Sequence, residues 1–168
     1  MPIIAERLGA FFVGISSKEG KSLSNKEWVD LCLYELNQVM KVVRETYKET
    51  TVLHPENPTT WKVSWIMDLK GATLFTAMKA TSIIKLLNAP IEPNFPELAG
   101  PIYLINTPSV IMAAWKVVKQ FLDATVLSKI QLHHGVPTDV FLESIDESVL
   151  FEEYGGTNKK EYPQSEYV

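Results

Sequence analysis

The chain has 168 residues, 46% of them hydrophobic, with 16 Lys and Arg against 20 Asp and Glu for a net charge of −4. That length predicts one compact domain with a radius of gyration of about 15 Å, and a mean hydropathy of +0.01 excludes both a disordered polar chain and a membrane-embedded one. The acidic balance weighs against a nucleic-acid binder, and the lone Cys32 excludes an intrachain disulfide and a thiolate metal cage.

Residues 2–13, PIIAERLGAFFV, read as a short extended segment, and residues 14–21 as a loop of glycine, serine and lysine. Ser24 and Glu27 have capping-box spacing, with Leu23 and Trp28 placed to staple it, so a helix is expected from Asn25 to about Thr50. Its apolar stripe runs through Trp28, Leu31, Cys32, Leu36, Val39, Met40, Val43 and Tyr47 at steps of three and four. Pro55 and Pro58 then break the chain before a strand over 61–69, in which Trp61, Val63, Trp65, Met67 and Leu69 alternate with Lys62, Ser64, Ile66 and Asp68.

Gly71 permits a turn into a second helix, expected over 73–87 and bounded by Asn88 and Pro90. A buried strand over 102–105 follows, parallel to the first if the helix crosses between them. Thr107 and Pro108 suit an N-cap and a first-turn proline for a third helix reaching about Leu122, apolar nearly all round. A strand around 129–132, a short helix over 139–145 and the stretch EEYGG complete the expected fold, leaving 157–168 as a polar tail.

The common nucleotide-loop, dinucleotide, serine-hydrolase and zincin motifs are absent. His133 and His134 sit next to each other at a strand end and point to opposite faces, Cys32 lies on the buried helix stripe, and Asp68 suits either a strand-end catalytic carboxylate or a helix cap. No nucleophile and base can be paired, so a non-enzymatic role is expected, with neither metal nor cofactor. With no run of apolar residues long enough to span a bilayer, the expected location is cytoplasmic, with any membrane contact peripheral.

The segments IMDLKG (66–71), FPELAGPIYLINTP (95–108), KQFLDATVLSKI (119–130) and LFEEYGG (150–156), in this order, resemble the CRAL-TRIO lipid-binding domain. The opening PIIAERLG (2–9) is similar to the start of that domain's lipid-binding lobe in the phosphatidylinositol and phosphatidylcholine transfer protein branch. The resemblance covers residues 1–156 as one lobe and implies an α/β fold. A mixed, largely parallel sheet would floor a hydrophobic pocket closed by an apolar lid helix, and the family's N-terminal helical lobe would be lacking. The lid would be the third helix, with Val110, Ile111, Met112, Trp115, Val118 and Phe121 facing acyl chains or bilayer, and Trp65, Phe75 and Met78 would be pocket walls.

By position, Glu97 and Lys129 would match the branch's headgroup glutamate and lysine, the ammonium pairing with a phosphodiester. Some positions depart from the family pattern. Val63 and Trp65 stand where small hydroxyl residues are common, Leu98 and Ala99 replace an arginine and a bulkier apolar residue, and Ala124 and Phe151 replace prolines. The implied function is binding of one phospholipid, with phosphatidylinositol the first choice, and its exchange during transient membrane contact. The alternatives are a sterol, tocopherol or retinoid-like ligand in the same pocket, or a scaffold that binds a protein partner or a second copy of itself.

Overall fold

The computed structural model describes residues 3–6, 23–53, 62–95 and 98–159. Strand β1 (Ile3–Glu6) takes up part of the expected opening segment. The remainder of that segment, the loop over 14–21, Trp61 and most of the tail lie outside the described residues.

Helix α1 (Asn25–Leu53) starts where the capping box places it. The Ser24 N–H donates to Glu27 Oε2 at 2.7 Å and the Glu27 N–H returns to Ser24 Oγ at 3.2 Å, which satisfies two of the backbone donors that a helix start leaves open. The Ser24 hydroxyl, donating to Glu27 Oε2 at 2.7 Å, and with it the Ser24 N–H hold the Glu27 carboxyl below the ordinary carboxylate range. Leu23 and Trp28 meet in one core cluster, as the staple requires.

Strand β2 (Val63–Asp68) leads through Gly71, at φ 87°, into helix α2 (Leu74–Asn94). The start of α2 is closed reciprocally: the Thr73 N–H donates to Thr76 Oγ1 at 2.9 Å, and the Thr76 N–H donates to Thr73 Oγ1 at 3.3 Å. The helix runs past its expected end and keeps Pro90 and Pro93 inside it. An interior proline forfeits a backbone bond and disfavours the helix. Here the last turn is held by the Phe95 N–H to Ile91 O at 2.8 Å and by Asn94 Nδ2 to Pro90 O at 2.7 Å, while Phe95 and Ile91 pack into the core.

Strand β3 (Ala99–Ile105) is followed by helix α3 (Ser109–Val118), whose cap differs from the expected one. Pro108 holds the N-cap position, and Thr107 is buried with its hydroxyl donating to Leu104 O at 3.0 Å. The Thr107 hydroxyl is spent closing the end of β3, so it is not available to cap the helix. Beyond Val118 the chain tightens into a 3-10 turn (Lys119–Phe121), then forms α4 (Ala124–Leu127), β4 (Ile130–Leu132), α5 (Thr138–Leu142) and a second 3-10 turn (Glu152–Tyr154). Helix α5 is shorter than the expected 139–145 helix, although Ile145 still packs with Phe141.

Among the described residues four strands form one sheet in the order β1-β2-β3-β4, every pairing parallel. Crossovers between neighbouring parallel strands are right-handed almost without exception. Winding steadily in one direction therefore stacks the connecting helices on one face. The burial agrees: Val63, Trp65, Leu69 and Ile102 share clusters with residues of α1 and α2, and Ile111 of α3 packs against the same side. The other face is left to the chain after β4, where Ile66, Tyr103 and Ile105 meet Phe141, Ile145, Leu150 and Tyr154. Tyr103 and Phe141 stand edge to face, their centroids 5.1 Å apart, a geometry that adds about 1 kcal/mol to simple burial. Covered on both sides, β2 buries Ser64, Ile66 and Asp68 as well as Val63 and Trp65, so the alternation expected from its sequence does not separate a dry face from a wet one.

Candidate functional site

A cleft of about 310 Å³ opens at the N-terminal rim of the sheet, lined by Lys62, Ala99, Gly100, Pro101, Ser128, Lys129 and Gln131. Backbone bonds hold both lysines in place. The Val63 N–H donates to Leu98 O at 2.9 Å, fixing the residue after Lys62, and the Ile102 N–H donates to Lys129 O at 2.9 Å. The Lys129 N–H returns to Val126 O at 3.0 Å and Ser128 Oγ to Thr125 O at 2.7 Å, so the turn carrying Lys129 is rigid down to its side-chain hydroxyl.

Asp123 caps the preceding helix α4 by accepting from the Thr125 N–H at 2.7 Å, and that bond keeps its carboxyl below the ordinary range. The lysine expected from the sequence thus lines this cleft. Glu97, its expected companion, lies outside the described residues. Lys62 is the residue that sequence reasoning missed. It reads as one polar position in an alternating strand, and only the pairing of β2 with β3 and β3 with β4 brings it to the cleft that Lys129 lines.

The lid candidate shows an unusual arrangement. Helix α3 reads SVIMAAWKVV and has no buried residue. Ile111 packs against the core cluster containing Trp28 and Ile83, and Met112, Trp115, Val118 and Phe121 are half-buried. Val110 and Val117 are 41% and 55% exposed. At the far end, Lys85 Nζ of α2 lies 3.8 Å from the Phe121 ring centroid. The β3–β4 connection therefore starts with the lid helix at the strands' C-terminal ends and returns to Lys129 at their N-terminal ends.

The three expected pocket-wall residues are not brought together. Trp65 is buried in the cluster of Val43, Val63, Phe95, Leu98 and Ile102. Phe75 and Met78, in the first turns of α2, are 60% and 65% exposed. With Leu74 and Leu86 of α2 and with Val110 and Val117 of α3, they give the two helices an exposed apolar face.

Asp68 does not cap α2, since Thr73 does. Its Oδ1 accepts from the Lys70 N–H at 2.8 Å and from Asn106 Nδ2 at 3.0 Å, clasping the ends of β2 and β3. His134 Nδ1 lies 3.2 Å from Thr107 O, while His133 stands near the Tyr103 ring, so the adjacent histidines serve separate neighbours. Cys32 packs against the core cluster of α1 and α2. Among the described residues, no helix is long and apolar enough to cross a membrane.

The chain is similar to a CRAL-TRIO domain-containing protein of Saccharomyces cerevisiae, 31% identical over 61% of this chain and 33% of that protein. It is 29% identical to the phosphatidylinositol/phosphatidylcholine transfer protein SFH12 of Arabidopsis thaliana over 93% of this chain and 27% of that protein. The SEC14 cytosolic factor of Candida glabrata is 30% identical over 56% of the chain and 31% of its own length. The chain thus spans about a third or less of these relatives. In fold it matches the crystal structure of Sfh5 with a TM-score of 0.64 at 17% identity, covering 94% of this chain and 49% of that one. The family model for the CRAL/TRIO domain matches residues 10–156, a span that takes in the sheet from β2 onward, the lysine cleft and the apolar helix α3, and on that match the chain belongs to the CRAL/TRIO domain family.

Proposed function

We propose that this chain binds one phospholipid, phosphatidylinositol first among them, and exchanges it at membranes without covalent chemistry. The observation that carries the reading is helix α3: ten residues, nearly all apolar, none of them buried. A helix apolar on all sides suits a position between two apolar phases, here acyl chains within and bilayer without. Lys129 on its rigid turn supplies a cation for the lipid phosphate, and Glu97 is assigned to the inositol hydroxyls through its place in the family pattern. Relatives named as phosphatidylinositol/phosphatidylcholine transfer proteins support the ligand class. Burying acyl chains at ~0.8 kcal/mol per methylene offsets the cost of lifting a lipid from its bilayer.

During exchange the protein docks peripherally on a membrane. Lys85, Lys116 and Lys119 lie beside the exposed apolar residues of α2 and α3 and suit an anionic lipid surface. Native mass spectrometry of the purified chain followed by lipid extraction tests the reading directly. A stoichiometric phospholipid is expected, and a chain that stays empty after incubation with mixed liposomes would overturn it. Met112→Asp places a charge on the lid and should abolish transfer of fluorescent phosphatidylinositol between vesicles. Because Met112 is only half-buried, the circular dichroism spectrum and melting temperature should stay close to those of the parent chain.

A further inference from the structure

The C-terminal layer carries a charge that lipid carriage does not use. Residues 138–158 hold six carboxylates and no Lys or Arg, more negative charge than the net −4 of the whole chain. Asp139, Glu143, Asp146 and Glu147 are exposed, and Leu142 and Val149 in the same stretch are 42% and 53% exposed. Further along, Lys159 pairs with Glu152 at 3.9 Å.

The helices across the sheet have the reverse sign. Residues 74–91 of α2, together with α3 and its 3-10 turn, contain Lys79, Lys85, Lys116 and Lys119 and no Asp or Glu. Lys85, Lys116 and Lys119 are exposed, on the same two elements as the exposed Leu74, Phe75, Met78, Leu86, Val110 and Val117. These helices and the C-terminal layer lie on opposite sides of one sheet.

Each surface thus combines exposed apolar side chains with charges of one sign, and the signs are opposite. Such surfaces are complementary to each other, while like surfaces repel. An anionic bilayer suits the α2–α3 face but is repelled by the acidic one, whereas a second copy of the chain satisfies both. Because the two faces lie on opposite sides of the sheet, a contact between them is heterologous and repeats from copy to copy as an open string.

We infer that this chain associates head to tail with a second copy of itself, the α2–α3 face of one copy seated on the α5 face of the next. The association needs no ligand and stands apart from lipid carriage. It covers α3, so a copy held in a string withholds that helix from a bilayer.

Light scattering over a concentration series tests it. Mass should rise past that of a dimer at ~0.01 M salt, where charges act over about 30 Å, and fall back toward one chain near ~1 M, where they act over about 3 Å. The paired variants Lys116→Gln, Lys119→Gln and Asp139→Asn, Glu143→Gln should each self-associate about tenfold more weakly, the worth of two surface ion pairs. All four side chains are exposed, so the melting temperatures should stay with the parent's. Mixed in equal amounts, the two variants should form a two-chain species that grows no further, because each supplies the face the other lacks. A single chain at every concentration in low salt, a dimer that high salt does not dissolve, or a loss confined to one of the paired variants overturns the inference. None of these touches lipid carriage, which is read from the extracted phospholipid. A chain that forms strings yet stays empty of lipid supports the inference and sinks the lipid reading alone.

Discussion

The Asp68–Asn106 pair shows how a single residue can look catalytic in sequence and prove structural. A carboxylate at the end of a strand suits a catalytic position or a helix cap, and the sequence left both open. In the structure one oxygen joins a turn N–H to the amide of Asn106, thirty-eight residues on. Asn106 sits at φ 49°, a region asparagine tolerates better than most residues. Asn106→Ala removes a donor to a charged acceptor and puts a Cβ-bearing, non-hydrogen-bonding residue in that region, so it should cost about 2 kcal/mol in urea unfolding. Asn106→Gly relieves the backbone and should cost less. If alanine is no worse than glycine, the left-handed backbone carries none of the cost.

Asp123 gives a pH-dependent counterpart. Its native carboxyl titrates below the ordinary range because it accepts from the Thr125 N–H. The cap's stabilisation is therefore complete above the unfolded value of about 3.9 and is lost as pH falls through the lower, native value. The Thr125 amide resonance should follow that native midpoint, and Asp123→Asn should flatten the curve.

Elements were most legible where local chemistry alone decides them. The Ser24–Glu27 box places the start of α1, and Gly71 with Thr73 places the turn and the start of α2. Ends were less legible where burial competes with propensity. Ile91 and Phe95 draw α2 across two prolines, and the buried Thr107 leaves the capping position to Pro108. Helix α3 was legible as unusual from composition, but what fastens it was not, because Lys85 and Phe121 lie on different elements. An ammonium over an aromatic face is worth about 0.5–1 kcal/mol at an exposed site. If this contact holds the lid shut, Lys85→Gln should raise the rate of lipid exchange between vesicles about two- to fivefold, with the urea midpoint nearly unchanged. An unaltered exchange rate would show that lid opening does not break the contact.

At the scale of the whole molecule, steady winding of a parallel sheet puts α1, α2 and α3 on one side and assigns the other to the C-terminal segment, packed around Phe141 and Tyr154. A single sequence reveals the strands and crossovers, but not that residues 62 and 129 will line one cleft. That juxtaposition depends on strand order, which no local pattern encodes. The same winding leaves Leu74, Phe75, Met78 and Leu86 of α2 beside Val110 and Val117 of α3 on an exposed apolar face. If this face meets a bilayer during exchange, replacing two of its most exposed side chains should weaken membrane partition without loosening the fold. Full burial of Phe or Met is worth about 1.5–3 kcal/mol each, so even partial immersion predicts at least a tenfold fall for the Phe75→Ser, Met78→Ser double variant in vesicle co-sedimentation. Its urea midpoint should match the parent's, since both residues are already mostly in water. Unchanged co-sedimentation, together with a lower mass in light scattering, would instead show that two copies of the chain meet on this face, because removing a self-association surface lowers the mass and leaves the membrane equilibrium alone.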